Sequence, residues 1–168
     1  MKNILLVSSL LLFVVISAPA QAFWINTYNT SRTYSFGMSD NGNVFALTKD
    51  TVLYRSTMNG SNGSWVEITN YPHVNSYTLC VSGNTIYMSN SYMNGGGMGI
   101  YVSTDFGQTW NLRNNGLGAD TSVLYSFALA NGNVIAAAAT LTPGQYKLYK
   151  TTNDGNSWNF VQTINDYV

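Results

Sequence analysis

One tryptophan-containing turn sequence occurs three times along this chain of 168 residues. The clearest copy reads Ser-Thr-Asp-Phe-Gly-Gln-Thr-Trp and ends at Trp110. A second copy ends at Trp158 and a longer, looser one ends at Trp65, so the tryptophans are 45 and 48 residues apart. Repeats of this length are single supersecondary units that bury their apolar faces by stacking on one another. The period therefore predicts a stack of similar units.

Three short apolar segments precede each turn and align between the copies. Alternation of apolar and polar residues, with a Gly-Asn pair between the first two segments, predicts antiparallel strands A, B and C. A fourth strand, D, is predicted to begin at each tryptophan. The four alanines at 136–139 favour a helix by composition, but they fall in the register of strand B and are predicted to be strand. The predicted A, B and C strands are 33–38, 44–47 and 52–55, then 76–81, 85–88 and 99–102, then 124–129, 134–137 and 147–150.

These turns resemble the Asp-box, or BNR, repeat of sialidase-like β-propellers, which reads Ser/Thr-x-Asp-x-Gly-x-Thr-Trp. The second copy matches every fixed position, and the third has Asn153 for Asp and Ser157 for Thr. The first copy has two extra residues, with Asn59 near the Asp position. The resemblance implies that the aspartate accepts backbone hydrogen bonds, the glycine has a positive φ, and the tryptophan packs between sheets. The residues with this structural role are Ser103, Asp105, Gly107, Thr109, Trp110, Asn153, Gly155, Ser157, Trp158 and Trp65.

The resemblance implies an all-β fold of three four-stranded antiparallel blades of β-propeller type. The blades are expected at about residues 31–70, 74–115 and 121–165, within a domain covering 23–168. Three blades are fewer than the four to eight that typically close a propeller. The sequence of residues 23–29 begins like that of a strand D, and this similarity predicts a spare N-terminal strand. This strand either caps an open stack or joins another subunit, so that a homo-oligomer completes the ring; stabilisation in a larger assembly is a third alternative.

The first 22 residues predict a signal peptide. Lys2 provides a basic start, residues 4–16 form an apolar run, and Ala20-Gln21-Ala22 fits a cleavage site. The apolar run is short for a membrane span, so no membrane insertion is expected after cleavage. We therefore predict export through the secretory pathway to a periplasmic, cell-surface or extracellular location.

Charged residues are too few for binding to nucleic acid. They make up 8% of the chain, with seven basic and seven acidic side chains. Nucleic acids and acidic membranes are bound by clustered cations that release counterions. The scattered cations of this sequence exclude both classes of partner.

No catalytic or metal site is predicted. Sialidases clamp a substrate carboxylate with three arginines, but Arg55 and Arg113 fall on the predicted outer strands here, and Arg32 is the third arginine of the predicted mature chain. The one glutamate, Glu67, lies on a predicted strand D, and His73 is the sole histidine, so a monomer has no multi-histidine centre. We predict no enzyme activity, no metal and no cofactor.

The single cysteine, Cys80, excludes an internal disulfide. It aligns with Gly37 and Ala128 in strand A. That register favours a small residue where strands crowd toward the propeller axis. Cys80 is therefore predicted to be a buried structural thiol.

The loops between strands D and A and between strands B and C share the face opposite the Asp-box turns, and the family places ligands there. Aromatic rings beside amides suit both sugars and protein partners. We predict a non-catalytic exported binding or assembly module for a protein partner or surface complex. A lectin-like carbohydrate binder is the alternative, followed by a sialidase-like glycosidase. The candidate ligand-binding residues are Tyr71, His73, Asn75, Tyr92, Asn94, Asn115, Asp120 and Tyr146.

Overall fold

The computed structural model describes residues 33–72, 78–90, 99–118 and 121–166. The predicted signal peptide and the predicted strand 23–29 lie outside these residues. Twelve strands form in the described ranges, and no helix there is long and apolar enough to cross a membrane. The strands are β1 Thr33–Met38, β2 Val44–Thr48, β3 Leu53–Ser56, β4 Trp65–Ile68, β5 Leu79–Ser82, β6 Thr85–Asn90, β7 Gly99–Ser103, β8 Asn111–Leu112, β9 Thr121–Ala130, β10 Asn133–Thr140, β11 Gln145–Thr151 and β12 Asn159–Asn165.

The twelve strands form three sheets of four, each built from consecutive strands. β1 to β4 form blade 1, β5 to β8 form blade 2, and β9 to β12 form blade 3, with every neighbouring pair antiparallel. The predicted fold class is confirmed. The alanines at 136–139 lie within β10, whose residues alternate between buried and partly exposed, as expected of a strand with one covered face.

The connection between the first two strands differs between blades. Met38 pairs with Val44 across a five-residue turn in blade 1, whereas Ser82 pairs with Thr85 across two residues in blade 2. The turn in blade 1 is longer because Ser39 and Asn43 close it through backbone and side-chain hydrogen bonds. As a result, the position of Val44 is taken by Ile86 in blade 2, one residue later than the Gly-Asn alignment indicates.

Two apolar clusters hold the sheets together. The first lies between blades 1 and 2, and the second lies between blades 2 and 3. Blade 2 is thus covered on both faces, whereas blades 1 and 3 are each covered by one neighbour. The buried members are Phe45, Leu47, Leu53, Tyr71, Leu79, Val81, Ile86 and Met88 in the first cluster, and Cys80, Tyr87, Ile100, Val102, Val134, Ala136, Ala138, Tyr149 and Trp158 in the second.

The first strands of the blades lie closest together, with β1 against β5 and β5 against β9. A Cβ atom at Gly37 would lie 2.7 Å from Cγ2 of Val81, so only glycine fits at this position without a shift. Cys80 occupies the equivalent position in blade 2 and is buried, and burial raises the pKa of its thiol to about 11. Ala128 is exposed, because no blade within the described ranges covers its side of blade 3.

Candidate functional site

The turn between β7 and β8 is organised around the Asp105 carboxylate. Its Oδ1 atom accepts hydrogen bonds from Ser103 Oγ at 2.8 Å and from the backbone N–H groups of Gln108 and Thr109 at 3.1 and 2.9 Å. Oδ2 accepts from Thr109 Oγ1 at 2.6 Å. Burial alone raises the pKa of Asp105, but the hydrogen bonds from Thr109, Ser103 and Gln108 outweigh it and lower the pKa to about 2. The carboxylate therefore holds its own turn in place at neutral pH.

The turn between β11 and β12 reproduces this geometry with an amide. Asn153 Oδ1 accepts from Thr151 Oγ1 and from the backbone N–H of Ser157, both at 3.0 Å. Its Nδ2 group donates to Ser157 Oγ at 3.0 Å. Gly155 has φ of 76° and donates its N–H to Thr151 Oγ1 at 2.9 Å. Asparagine replaces aspartate without loss of the turn because its amide oxygen keeps the bonds from the Thr151 hydroxyl and the Ser157 N–H, while its NH2 group donates to the Ser157 hydroxyl instead of accepting from it.

The turn between β3 and β4 closes differently. Met58 occupies the position of Asp105, and Asn59, with φ of 52°, occupies the left-handed position that Phe106 takes in blade 2. Ser56 Oγ accepts from the N–H groups of Met58 and Gly60, and it lies 2.6 Å from Ser64 Oγ. A pair of hydroxyls thus replaces the carboxylate, and Asn59 does not take the role of the Asp-box aspartate.

Each described junction between blades joins the end of a strand D to the tryptophan turn of the next blade. Trp158 Nε1 donates to the Arg113 carbonyl at 3.0 Å, and its backbone N–H donates to Asn115 O at 2.8 Å. The ring also meets Tyr87 edge to face, with centroids 6.1 Å apart. Asn70 Nδ2 makes the corresponding link from blade 1 to blade 2 by donating to Gln108 O at 2.7 Å. The tryptophan turns therefore dock each blade on the one before it.

A groove of about 410 Å³ opens at the outer edge between blades 1 and 2, and we call it the rim groove. One wall is β4 with residues 69–70, and the other is the turn at Phe106–Gln108. β4 is the outermost strand of its sheet, so one edge of its backbone is not paired with β3. Val66 is 68% exposed on this wall. The groove therefore combines apolar side chains with a strand edge that has no partner strand in the described part of the chain.

Arg55 lies at the inner side of the rim groove. Its guanidinium carbon is 5.0 Å from the centroid of the Phe106 ring and 6.0 Å from that of Phe45, which are cation–π distances. Its Nε donates to Asn43 Oδ1 at 2.9 Å. Among the described residues, no acceptor lies within hydrogen-bond distance of its terminal N–H groups. Glu67 also lines the groove, but it pairs with Tyr54 whereas Val66 pairs with Arg55, so the Glu67 side chain projects to the opposite face of β4.

The structure places only three of the predicted ligand-binding residues, and it does not bring them together. The ring of Tyr71 is buried between blades 1 and 2, and this burial raises its pKa. Asn115 is exposed at the junction of blades 2 and 3, and Tyr146 is half-buried on β11. The remaining candidates, His73, Asn75, Tyr92, Asn94 and Asp120, lie outside the described residues.

The repeat pattern gave no indication of the rim groove. Arg55 was assigned to strand C and lies on β3, between β2 and β4, but nothing in its spacing indicated that it would stack on a turn of the next blade. Phe106 occupies a variable position of the Asp-box pattern. Only the packing of two blades shows that these two side chains belong to one site.

The sheets, the Asp-box turns and the docked tryptophans define this chain as a BNR-type β-propeller, as its sequence indicated. The chain belongs to the family described as "Photosynthesis system II assembly factor YCF48", whose sequence profile matches residues 2–137. Among solved structures, a similar chain is "YCF48 bound to D1 peptide", with a TM-score of 0.53 and 14% sequence identity. That alignment covers 83% of this chain and 41% of the other, so this chain spans less than half of that protein. A search of curated proteins found no match.

Proposed function

We propose that this chain is a non-catalytic assembly module that holds an extended polypeptide segment of a partner protein in the rim groove. The observation that carries this proposal is the position of Arg55. Its guanidinium is oriented by Phe45, Phe106 and Asn43, yet its terminal N–H groups have no acceptor in the part of the chain that the structure describes. A fixed guanidinium of this kind suits a carboxylate, which it binds through two parallel hydrogen bonds.

The wall beside Arg55 suits an extended segment. An outermost strand pairs with an added strand through backbone hydrogen bonds, and pockets along it select alternate side chains. β4 offers such an edge, with Val66 exposed and Phe106 opposite it. The partner segment is therefore a strand with one apolar residue and with an acidic side chain or a carboxyl terminus that reaches Arg55.

Membership of an assembly-factor family supports a binding role over a catalytic one. A related fold has been solved with a bound D1 peptide, and binding of a peptide by this chain is proposed by analogy with that protein. Asp105 is committed to its own turn, which leaves it unsuited to acid–base catalysis. Export remains part of the proposal and rests on the predicted signal peptide. A second copy of this chain is a further candidate partner.

Titration of a fluorescently labelled D1 peptide, followed by anisotropy, tests the proposal. We expect saturable binding that Arg55→Gln weakens about tenfold or more, because a charge-assisted pair is lost. Val66→Asp should also weaken binding, since it places an anion beside the site of the peptide carboxylate. Lys49→Gln removes an equal charge from the exposed loop between β2 and β3, and we expect it to bind like the wild type.

This design separates the rim groove from the predicted loop face. Because Arg55 contacts two aromatic rings, the melting temperature of each variant must be compared with that of the wild type. Absence of saturable binding, or a loss caused by Lys49→Gln but not by Val66→Asp, would contradict the rim groove as the site.

Carbohydrate binding stays a prediction from the loop composition. Asn115 is exposed and Tyr146 half-exposed, but they belong to different parts of blades 2 and 3. A glycan array that compares native with heat-denatured protein tests this alternative. Specific retention by the native protein alone would favour it.

A further inference from the structure

Two sheet faces of the array have no covering blade among the described residues. The front face is the side of blade 1 that points away from blade 2, and it carries Phe36, Met38, Val44, Ala46, Tyr54 and Trp65. The back face is the side of blade 3 that points away from blade 2, and it carries Ala128, Ile135, Ala137, Leu148 and Ile164. Strand pairing assigns these residues to one side of each sheet. We propose that the front face of one copy of this chain packs against the back face of a second copy.

The front face has the residue pattern of a surface that is buried elsewhere in the chain. Phe36 and Met38 are 66% and 64% exposed, whereas Leu79 and Val81, at the same positions of blade 2, are 5% and 4% exposed. Blade 1 provides that cover in blade 2. A single large apolar residue on a surface is unremarkable, but a contiguous apolar sheet face indicates an interface.

The back face corresponds in the same way to covered surfaces. Ile135 and Leu148 occupy the positions of Tyr87 and Ile100, both of which blade 3 covers. Ala128 occupies the position of Gly37, where a neighbouring blade approaches most closely. Contact between the front and back faces therefore continues the interface that joins blade 1 to blade 2 and blade 2 to blade 3.

The charges on the two faces are opposite. Glu67 is exposed on the front face, where it pairs with Tyr54. Lys150 is partly exposed on the back face, where it pairs with Ile135. Front-to-back packing brings together faces of unlike charge, whereas front-to-front packing would bring two Glu67 carboxylates onto one interface.

The Trp65 indole provides a separate observation. Its Nε1 atom is buried and has no hydrogen-bond partner among the residues that the structure describes. In blade 3 the equivalent N–H of Trp158 donates to the Arg113 carbonyl of the preceding blade, whereas in blade 2 that of Trp110 donates to the Gly107 carbonyl of its own turn. By repeat position the residue equivalent to Arg113 in blade 3 is Val161. A second copy packed front to back thus supplies its Val161 carbonyl as the missing acceptor, and a buried donor gains most from a new partner.

Front-to-back contacts are heterologous, so they either close into a ring or continue into a filament. Two copies contain six blades, which is within the range that closes a propeller. The proposal is therefore a two-fold dimer with two identical junctions. It is independent of the proposed peptide site, because Arg55 and Val66 lie on the side of blade 1 that faces blade 2.

Sedimentation velocity and native mass spectrometry, over about 1 to 100 μM protein, test the proposal. The wild type is expected to have twice the mass of one chain. Met38→Asp places a carboxylate on the front face and Ala137→Asp places one on the back face. Because each substitution disrupts one side of the junction, each variant alone is expected to be monomeric. An equimolar mixture of the two should form a heterodimer through the one intact junction. Leu141→Asp, at an exposed position in the turn between β10 and β11, is the matched control and should remain a dimer.

Dimerisation of Ala137→Asp alone would overturn the front-to-back arrangement, since only two front faces could then meet. A wild type that stays monomeric at the highest concentration would also overturn the proposed dimer. If Trp24→Ala then caused that monomer to associate, residues 23–29 would be shown to cover the front face instead. Circular dichroism melting must first show that each variant is folded. D1-peptide binding is expected to be unchanged in Met38→Asp, which distinguishes failure of this proposal from failure of the proposed function.

Discussion

Two glycines with similar backbone angles have very different surroundings. Gly116 has φ of 88° and lies in the loop after β8, where a Cβ atom would be 2.0 Å from the carbonyl oxygen of Trp158. Gly132 has φ of 74° in the turn between β9 and β10, with nothing within 4 Å of an added Cβ. The first glycine allows two blades to approach each other, whereas the second serves only its own hairpin.

Alanine at these two positions should therefore have different costs. Gly132→Ala is expected to lower the free energy of unfolding by about 1 kcal/mol, which is the cost of a left-handed angle for a residue with a Cβ atom. Gly116→Ala adds a clash with backbone and should cost about 3 kcal/mol or more. Urea unfolding of both variants measures the difference. Equal losses would show that the contact between Gly116 and Trp158 does not limit the packing of blades 2 and 3.

Some single residues could be interpreted from the sequence and others could not. Cys80 was expected to be small and buried because its repeat equivalents are glycine and alanine, and the structure agrees. Tyr71 was expected on a loop surface, but its ring fills the gap between blades 1 and 2. A loop position gives no information on which way a side chain turns when the chain crosses from one sheet to the next.

At the scale of strands and turns, the prediction of the strand positions rested on the repeat. Three imperfect copies of one pattern locate twelve strands because alternation and turn residues coincide in each copy. Strand lengths were less predictable: β8 has two residues and β12 has seven, although both begin next to a tryptophan turn. The length of an outer strand depends on how many of its residues pair with the neighbouring strand, and this pairing is a property of the assembled sheet.

The tryptophan turns also differ in how completely their indoles are bonded. Trp158→Phe should cost about 2 to 4 kcal/mol, because it removes buried ring area and leaves the Arg113 carbonyl without its donor. Trp65→Phe should cost about 1 kcal/mol or less, because the N–H that it removes has no acceptor in the described part of the chain. Chemical unfolding in the Ala137→Asp background, which removes the proposed junction between copies, makes this comparison. A larger loss for Trp65→Phe than for Trp158→Phe would contradict the assignment of an indole hydrogen bond to Trp158 and not to Trp65.

At the scale of the whole molecule, the buried acid–base groups predict loss of stability at high pH. Burial raises the pKa of Cys80 from 9.0 to about 11, and burial likewise raises the pKa of Tyr87 above its usual value. The folded state thus keeps protons that the unfolded state releases. The contribution of Cys80 is complete below pH 9.0 and is lost as the pH rises through about 11.

Replacing the thiol tests this linkage. Cys80→Ala leaves a small cavity, which should lower the free energy of unfolding by a constant amount between pH 7 and 9. Above pH 9 the wild type should lose stability faster than the variant, so the two profiles converge. Urea titrations in steps of half a pH unit measure both profiles. Parallel profiles up to pH 11 would mean that the thiol ionises equally easily in the folded and unfolded chains.

The architecture of the array could be anticipated, whereas its binding surface could not. Periodicity along a chain identifies the features that all units share, and the blades share their strands. The rim groove depends on Arg55, Phe106 and Val66, a combination that the other copies do not repeat, although Lys150 holds the position of Arg55 in blade 3. Features that break the repeat are invisible to an argument based on the repeat, and these are the features that a partner would recognise.

Each blade is one uninterrupted stretch of chain whose strand-pairing hydrogen bonds all close within that stretch. A gene segment encoding one blade can therefore be duplicated or lost without cutting through any sheet. Only the surface at the end of the row of blades then changes. Proteins built in this way can grow or shorten in steps of about 45 residues while keeping the same internal contacts, and a 168-residue chain can share a fold with one more than twice as long.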